Sequence, residues 1–231
     1  MRDARVLIQT IAPDREGDPL LRCLDGHLHA LMPRLRFIAY LSTVGVYGDH
    51  AGAWVDEMTP CRPASDRSRD RLAAEADWRQ AADAARMPLA ILRLSGIYGP
   101  GRNAFVNLAE GKAKRLVKKD QVFNRIHVED IATAARFLAE RCHDGIVNVT
   151  DDEPAPPQDV VEAAAQLMNV APPPVQHFET AELSPMARSF YGENKRVSNA
   201  KLKRMGFDFT YPNYRVSLQR MWADKNWNRS A

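Results

Sequence analysis

Short apolar runs that alternate with helical segments constrain this chain more than any other feature. Residues 6–12 (Val-Leu-Ile-Gln-Thr-Ile-Ala), 36–43 (Arg-Phe-Ile-Ala-Tyr-Leu-Ser-Thr), 88–94 and 145–150 are short and rich in aliphatic or β-branched side chains, as strands buried on both faces are. The spacing and composition between and after them predict helices over 19–32, 68–86, 104–113, 128–141 and 157–168. Parallel strands cannot be joined by tight turns, so this alternation predicts an α/β fold, a doubly wound parallel sheet with helices on both faces. Ligands of such sheets sit beyond the carboxyl ends of the strands, which here are Ala12, Ser42, Leu94 and Thr150.

A chain of 231 residues, 45% hydrophobic and 26% charged, has the composition of a folded globular protein and the length for one main core with an appendage. The composition changes after Thr150, at Asp151-Asp152-Glu153-Pro154 and again at Pro172-Pro173-Pro174. The expected organisation is a sheet domain over 1–150 and a small C-terminal substrate-side lobe over 151–231, closed by a helix carrying Leu218, Met221 and Trp222.

Lys and Arg number 32 against 29 Asp and Glu, a net charge of +3 that falls short of a nucleic-acid footprint. No stretch approaches the roughly 20 apolar residues of a membrane span. The start, Met1-Arg2-Asp3-Ala4-Arg5, lacks a cleavable secretion signal. Cys23, Cys61 and Cys142 are odd in number and widely spaced, which suggests neither disulfides nor zinc. His27 and His29 lie two apart on a predicted helix and face different ways, so no metal site is expected. The expected setting is the cytoplasm, with neither nucleic acid nor membrane as a partner. The basic run Lys112, Lys114, Arg115, Lys118 and Lys119 has no interleaved aromatic residue and reads as a solvated loop.

Three segments carry a family resemblance. Tyr40-Leu41-Ser42-Thr43-Val44-Gly45-Val46-Tyr47-Gly48, Leu92-Arg93-Leu94-Ser95-Gly96-Ile97-Tyr98-Gly99-Pro100-Gly101 and Arg125-Ile126-His127-Val128-Glu129-Asp130-Ile131-Ala132 resemble, in order and spacing, signatures of the extended short-chain dehydrogenase/reductase superfamily. The branch is that of the NAD-dependent epimerases and dehydratases, and the flavour is an atypical subgroup with altered catalytic residues. The resemblance implies a Rossmann-like sheet that binds NAD or NADP. It also makes the strand at Val6 the counterpart of the family's fourth, so the Gly-x-x-Gly-x-x-Gly turn that holds the cofactor pyrophosphate has no counterpart here. Gly99-Pro100-Gly101-Arg102-Asn103-Ala104 imitates the pattern, but Pro100 removes one N–H donor. With this N-terminal truncation the expectations are impaired cofactor binding, and self-association, marginal stability or a start upstream of Met1, because the first strand would expose unpaired backbone and apolar surface.

In the family a Ser or Thr hydroxyl holds the substrate oxygen, a Tyr exchanges a proton with it and a Lys lowers the Tyr pKa and grips the ribose. The resemblance places Thr43 at the hydroxyl position and Arg67 and Arg71 at the Tyr and Lys positions, anchored by Leu72-Ala73-Ala74-Glu75. An arginine stays protonated and cannot do a phenol's work, although Arg71 could hold a ribose, carboxylate or phosphate. The competing account is a solvated helix face with Arg71 paired to Glu75. Tyr47 and Tyr98 are candidate replacement acids, each also readable as a packed aromatic residue. Ser95, Gly96 and Ile97 align with the nicotinamide pocket, while Arg102, Asn103 and Arg125 flank the expected substrate cleft. The expected function is an NAD(P)-dependent oxidoreductase or epimerase acting on a small molecule; the alternative is a non-catalytic sensing or scaffolding module on the same fold.

Overall fold

The computed structural model describes residues 2–228. In chain order the elements are β1 (Val6–Gln9), α1 (Pro19–Leu24), α2 (Leu28–Leu31), β2 (Phe37–Thr43), a 3₁₀ turn (Val44–Tyr47), β3 (Trp54–Val55), α3 (Asp66–Ala84), β4 (Leu89–Leu94), β5 (Gly96–Tyr98) and α4 (Ala104–Ala109). They continue with β6 (Arg115–Val117), β7 (Arg125–His127), α5 (Val128–Glu140), β8 (Gly145–Val149), α6 (Pro157–Met168), β9 (Val175–His177), α7 (Pro185–Phe190), β10 (Arg196–Val197), α8 (Ala200–Arg204) and α9 (Tyr214–Ala223).

The central sheet is parallel throughout, in the order β1-β2-β4-β8. Side chains alternate across a strand, so β2 and β4 feed two cores at once. One face sends Ile38, Tyr40, Leu89 and Ile91 against Ala74, Trp78 and Ala82 of α3 and against Leu24, Leu28 and Met32. The opposite face packs Phe37, Ala39, Ala90, Leu92 and Val147 against Ile131, Ala134, Ala135 and Leu138 of α5. Helices therefore cover both faces, the doubly wound arrangement. Leu202, Phe207 and Phe209, far along the chain, join the α5 face. A further cluster of α4, α6 and α9 is built on Phe105, Ala164, Tyr214, Leu218 and Met221.

Several boundaries differ from expectation for physical reasons. The helix expected over 19–32 is two, because Asp25 (φ 44°) caps α1 in the left-handed region and Gly26 (φ 75°) follows it. β1 stops at Gln9, whose amide turns inward to the Asp18 carboxylate at 2.9 Å while Asp18 caps α1. α4 ends at Ala109, short of the expected 113, ahead of Gly111 (φ 67°). The basic run is no free loop: Arg115 opens β6 and bonds Glu162 at 2.7 Å. β5 and β7, three residues each, were not expected at all; they pair in parallel with Gly96 opposite Arg125 and Tyr98 opposite His127.

β1 forms one edge of the sheet. Val6 and Ile8 lie in register with Phe37 and Ala39, on the α5 side, yet they are 42% and 48% exposed. No helix among the described residues is long and apolar enough to cross a membrane.

Candidate functional site

Thr43 and Leu94 end adjacent strands and are register partners, so the carboxyl edge of the sheet opens between them. Two adjoining cavities of about 220 and 680 Å³ occupy that edge and share Thr43, Gly45, Phe190 and Glu193. The smaller one is also lined by Leu94, Ser95 and Gly96, and the larger by Arg67 and Arg71. The cleft therefore brings together Thr43, Arg67, Arg71, Leu94, Ser95 and Gly96.

Thr43 caps the 3₁₀ turn, its Oγ1 accepting the Gly45 N–H at 3.1 Å, which leaves the hydroxyl hydrogen for another partner. Ser95 is 4% exposed and its hydroxyl has no partner. Arg67 and Arg71 lie one turn apart on α3, after the cap made by Ser65. Arg71 donates to the Leu41 carbonyl at 2.8 Å and lies over the Tyr40 ring.

Arg71 does not pair with Glu75. Glu75 is 4% exposed and turns under the cleft, where it accepts from Ser42 Oγ at 2.5 Å and from Arg93 Nη2 at 2.7 Å. The Ser42 hydroxyl, expected to meet cofactor, is therefore committed inward. Tyr47 is also corrected as a proton donor. It is fully buried, donates to Asn148 Oδ1 at 2.8 Å and lies under the Arg93 guanidinium, and burial pushes its phenol up to about 12. Ala12 is exposed past the end of β1 and lies outside both cavities, and Ile97 is 38% exposed on β5.

Tyr98, Arg102, Asn103 and Arg125 do not join this cleft. They line a separate cavity of about 480 Å³ on the other side of the β5–β7 pair, walled by α4, α6 and α9. Asn103 serves the fold there: its Oδ1 caps α4 at Val106 N, and its amide donates to the Gly99 and Trp227 carbonyls at 2.8 and 2.7 Å. Tyr98 shares a 2.6 Å hydrogen bond with Ser217 Oγ, and burial holds its phenol above the ordinary range. The Gly99 and Gly101 N–H groups are spent on Arg102 O and Trp227 O, so the Gly-x-Gly imitation cradles nothing.

Sequence reasoning missed the C-terminal contribution to the cleft. Lys195 is 6% exposed and donates to Gly48 O at 2.8 Å and to Glu193 Oε2 at 2.7 Å, and Phe190 stands at the mouth. No local pattern around 190–195 signals this, because the Gly48 carbonyl that anchors Lys195 lies 147 residues earlier. Among the described residues no group of three His, Cys, Asp or Glu could hold a metal ion.

The parallel sheet with helices on both faces and a cleft at its carboxyl edge defines a Rossmann-like α/β protein. The chain belongs to the NAD dependent epimerase/dehydratase family, whose sequence model matches residues 27–150. A conserved protein of unknown function from Silicibacter pomeroyi is 48% identical, with a TM-score of 0.89 over 95% of this chain and 77% of that one. A Methylobacillus flagellatus protein provisionally described as an NAD-dependent epimerase/dehydratase is 27% identical, with a TM-score of 0.73 over 96% of this chain and 76% of that one. A human epimerase family protein solved with NADPH shares the fold at 16% identity, with a TM-score of 0.74 over 97% of this chain and 83% of that one. No curated protein matches the chain at a significant level.

Proposed function

We propose that the chain is a nicotinamide-dinucleotide oxidoreductase or epimerase of altered catalytic type, acting on a small polar substrate held at Thr43, with the nicotinamide at Ser95 and Gly96. The observation that carries this reading is the Ser95 hydroxyl, buried in the wall of the cleft without a partner. Leaving such a group unpaired costs about 1–3 kcal/mol, and a hydrogen-bonding ligand removes that cost. Gly96 next to it lies where an added Cβ would sit 3.1 Å from the Asn124 carbonyl oxygen, so a side chain there would press on the wall of the cleft. These residues, with Arg67 and Arg71, fit the nicotinamide and ribose half of a dinucleotide. The human relative solved with NADPH supports the same class of cofactor, either NAD or NADP. The pyrophosphate half is assigned to no residue here, since the sequence has no glycine-rich strand-to-helix turn.

The dinucleotide, when bound, supplies or accepts the hydride. Thr43 donates its free hydroxyl hydrogen to the substrate oxygen. An arginine side chain serves as a charge partner rather than a proton shuttle, so Arg67 and Arg71 are assigned to hold negative charge. Glu193, which lines both cavities and is fixed by Lys195 at 2.7 Å, is the carboxylate assigned to exchange the proton.

Fluorescence titration with reduced nicotinamide mononucleotide tests the half-site, because that probe needs no pyrophosphate cradle. Binding should weaken about tenfold in Ser95→Ala, the effect of one lost hydrogen bond of ~1.4 kcal/mol. Glu193→Gln should keep binding and lose hydride exchange. Failure of the mononucleotide, NADH and NADPH all to bind would favour the second reading, a non-catalytic ligand-holding module. The specific observation behind that reading is the pair of arginines where the family's proton chemistry resides.

A further inference from the structure

The cavity behind β5 and β7 carries chemistry that the dinucleotide reading does not use. Its floor is made by Arg125, Tyr98 and Tyr214, its walls by Val160, Val161 and Leu218, and Lys112 and Glu110 stand at the mouth. Arg125 Nη1 is spent on two backbone carbonyls, Phe123 O at 2.9 Å and Ala155 O at 3.1 Å. These two bonds lock the guanidinium plane. The opposite edge, Nε and Nη2, makes no hydrogen bond, and no acid among the described residues lies within 4 Å of it. The Asp151 N–H bonds to Arg125 O, its Oδ1 accepts the Glu153 N–H at 3.3 Å, and it makes no ion pair with the guanidinium among the described residues, while burial pushes its carboxyl up to about 8. Tyr214 is fully buried, and its hydroxyl also lacks a partner.

A guanidinium edge with two parallel N–H groups matches the two oxygens of a carboxylate. Arg102 also lines the cavity but is exposed, where solvent screens its charge, so the partly buried Arg125 cation sets the preference for an anionic head, and the aliphatic walls favour an apolar body. The rim adds no net charge, since Lys112 and Glu110 pair at 2.9 Å. We infer that this cavity is a second ligand site, which takes a small amphipathic monocarboxylate with its head on Arg125 Nε/Nη2 and Tyr214 Oη and its body against Val160, Val161 and Leu218. The site is independent of the dinucleotide cleft, with which it shares no lining residue.

The test is calorimetric titration of the full chain with phenylacetate, and with phenethylamine as a cation of similar shape. Phenylacetate should bind and phenethylamine should not. Tyr214→Phe removes only the unpartnered hydroxyl, so it should weaken phenylacetate severalfold without lowering Tm, and Arg125→Gln should weaken it at least tenfold. NADH should not displace the acid. The inference is overturned if the wild-type chain does not bind phenylacetate, if phenethylamine binds as well, if Tyr214→Phe binds as tightly as wild type, or if NADH competes. Because Tyr214→Phe carries the comparison alone, an Arg125→Gln chain that fails to fold does not remove the test. Loss of mononucleotide binding with phenylacetate binding intact would reject the dinucleotide reading and leave this one standing.

Discussion

Single buried ionisable side chains set how this protein responds to pH. Asp151 is 1% exposed and holds its proton up to about 8, against 3.8 for a free aspartate, chiefly through burial. His127 is fully buried, stacks on Tyr211 at 3.7 Å and is held down to about 4 by burial. Between about pH 4 and 6.5 the native state keeps the Asp151 proton that the unfolded chain gives up, while the unfolded chain gains the His127 proton that the native state refuses. The two slopes oppose each other. From 6.5 to 8 only the Asp151 effect remains, so stability falls with rising pH, by about 2 kcal/mol for one proton over that interval. Urea unfolding at pH 6.5 and 8 should show this fall in the wild-type chain and its near absence in Asp151→Asn. An equally steep fall in the variant would refute the assignment. The Glu75–Arg93 pair is 4–5% exposed at its side chains, so Glu75→Gln leaves a buried guanidinium uncompensated and should cost about 3–5 kcal/mol in the same measurement. At this scale the sequence was legible where a motif fixes a position, as for Thr43, Gly96 and Arg71. It was illegible where burial and a distant partner decide the role. Nothing near Tyr47 announces Asn148, 101 residues away, and nothing near Ser42 announces that Glu75 will take its hydroxyl.

At the level of elements, turns rather than helices carry the tightest constraints. Gly48 follows the 3₁₀ turn with φ 72° and ψ −150°, a region open essentially to glycine, and an added Cβ would sit 1.8 Å from the Arg62 carbonyl oxygen. Gly48→Ala should therefore cost well over the ~1–3 kcal/mol of backbone strain alone and displace the Thr43 end of the cleft. Gly26 has a similar φ of 75° but open space around it, so Gly26→Ala should cost only about 1 kcal/mol. A thermal melt of the two variants side by side checks the contrast, and equal losses would contradict it. The break between α1 and α2 had a readable signal, since Asp25-Gly26 is a common way to end a helix, but the continuing leucines at 20, 21, 24, 28 and 31 masked it. β5 and β7 had none: three residues are too few for a period-two pattern to stand out.

For the whole molecule the alternation of strands and helices was legible, because periodicity and the geometry of parallel strands leave few arrangements open. The docking of Leu202, Phe207 and Phe209 on the α5 face was not, since it joins segments more than 50 residues apart. The open edge at β1 has a consequence for association. Val6, Ile8 and Ile11 are each 42–52% exposed beside unpaired backbone groups. The chain is expected to self-associate through this edge, giving a light-scattering mass above the 26.0 kDa of one copy, and Ile8→Lys should return it toward that value. A wild-type chain that stays at one copy would refute this. The β5–β7 pair has a different bearing on the architecture. Ser95, Gly96 and Asn124 line one chamber and Tyr98 and Arg125 the other, so the chain passes from one room to the next within a few residues. Each room can then be refurnished by changing its own residues, because no side chain furnishes both.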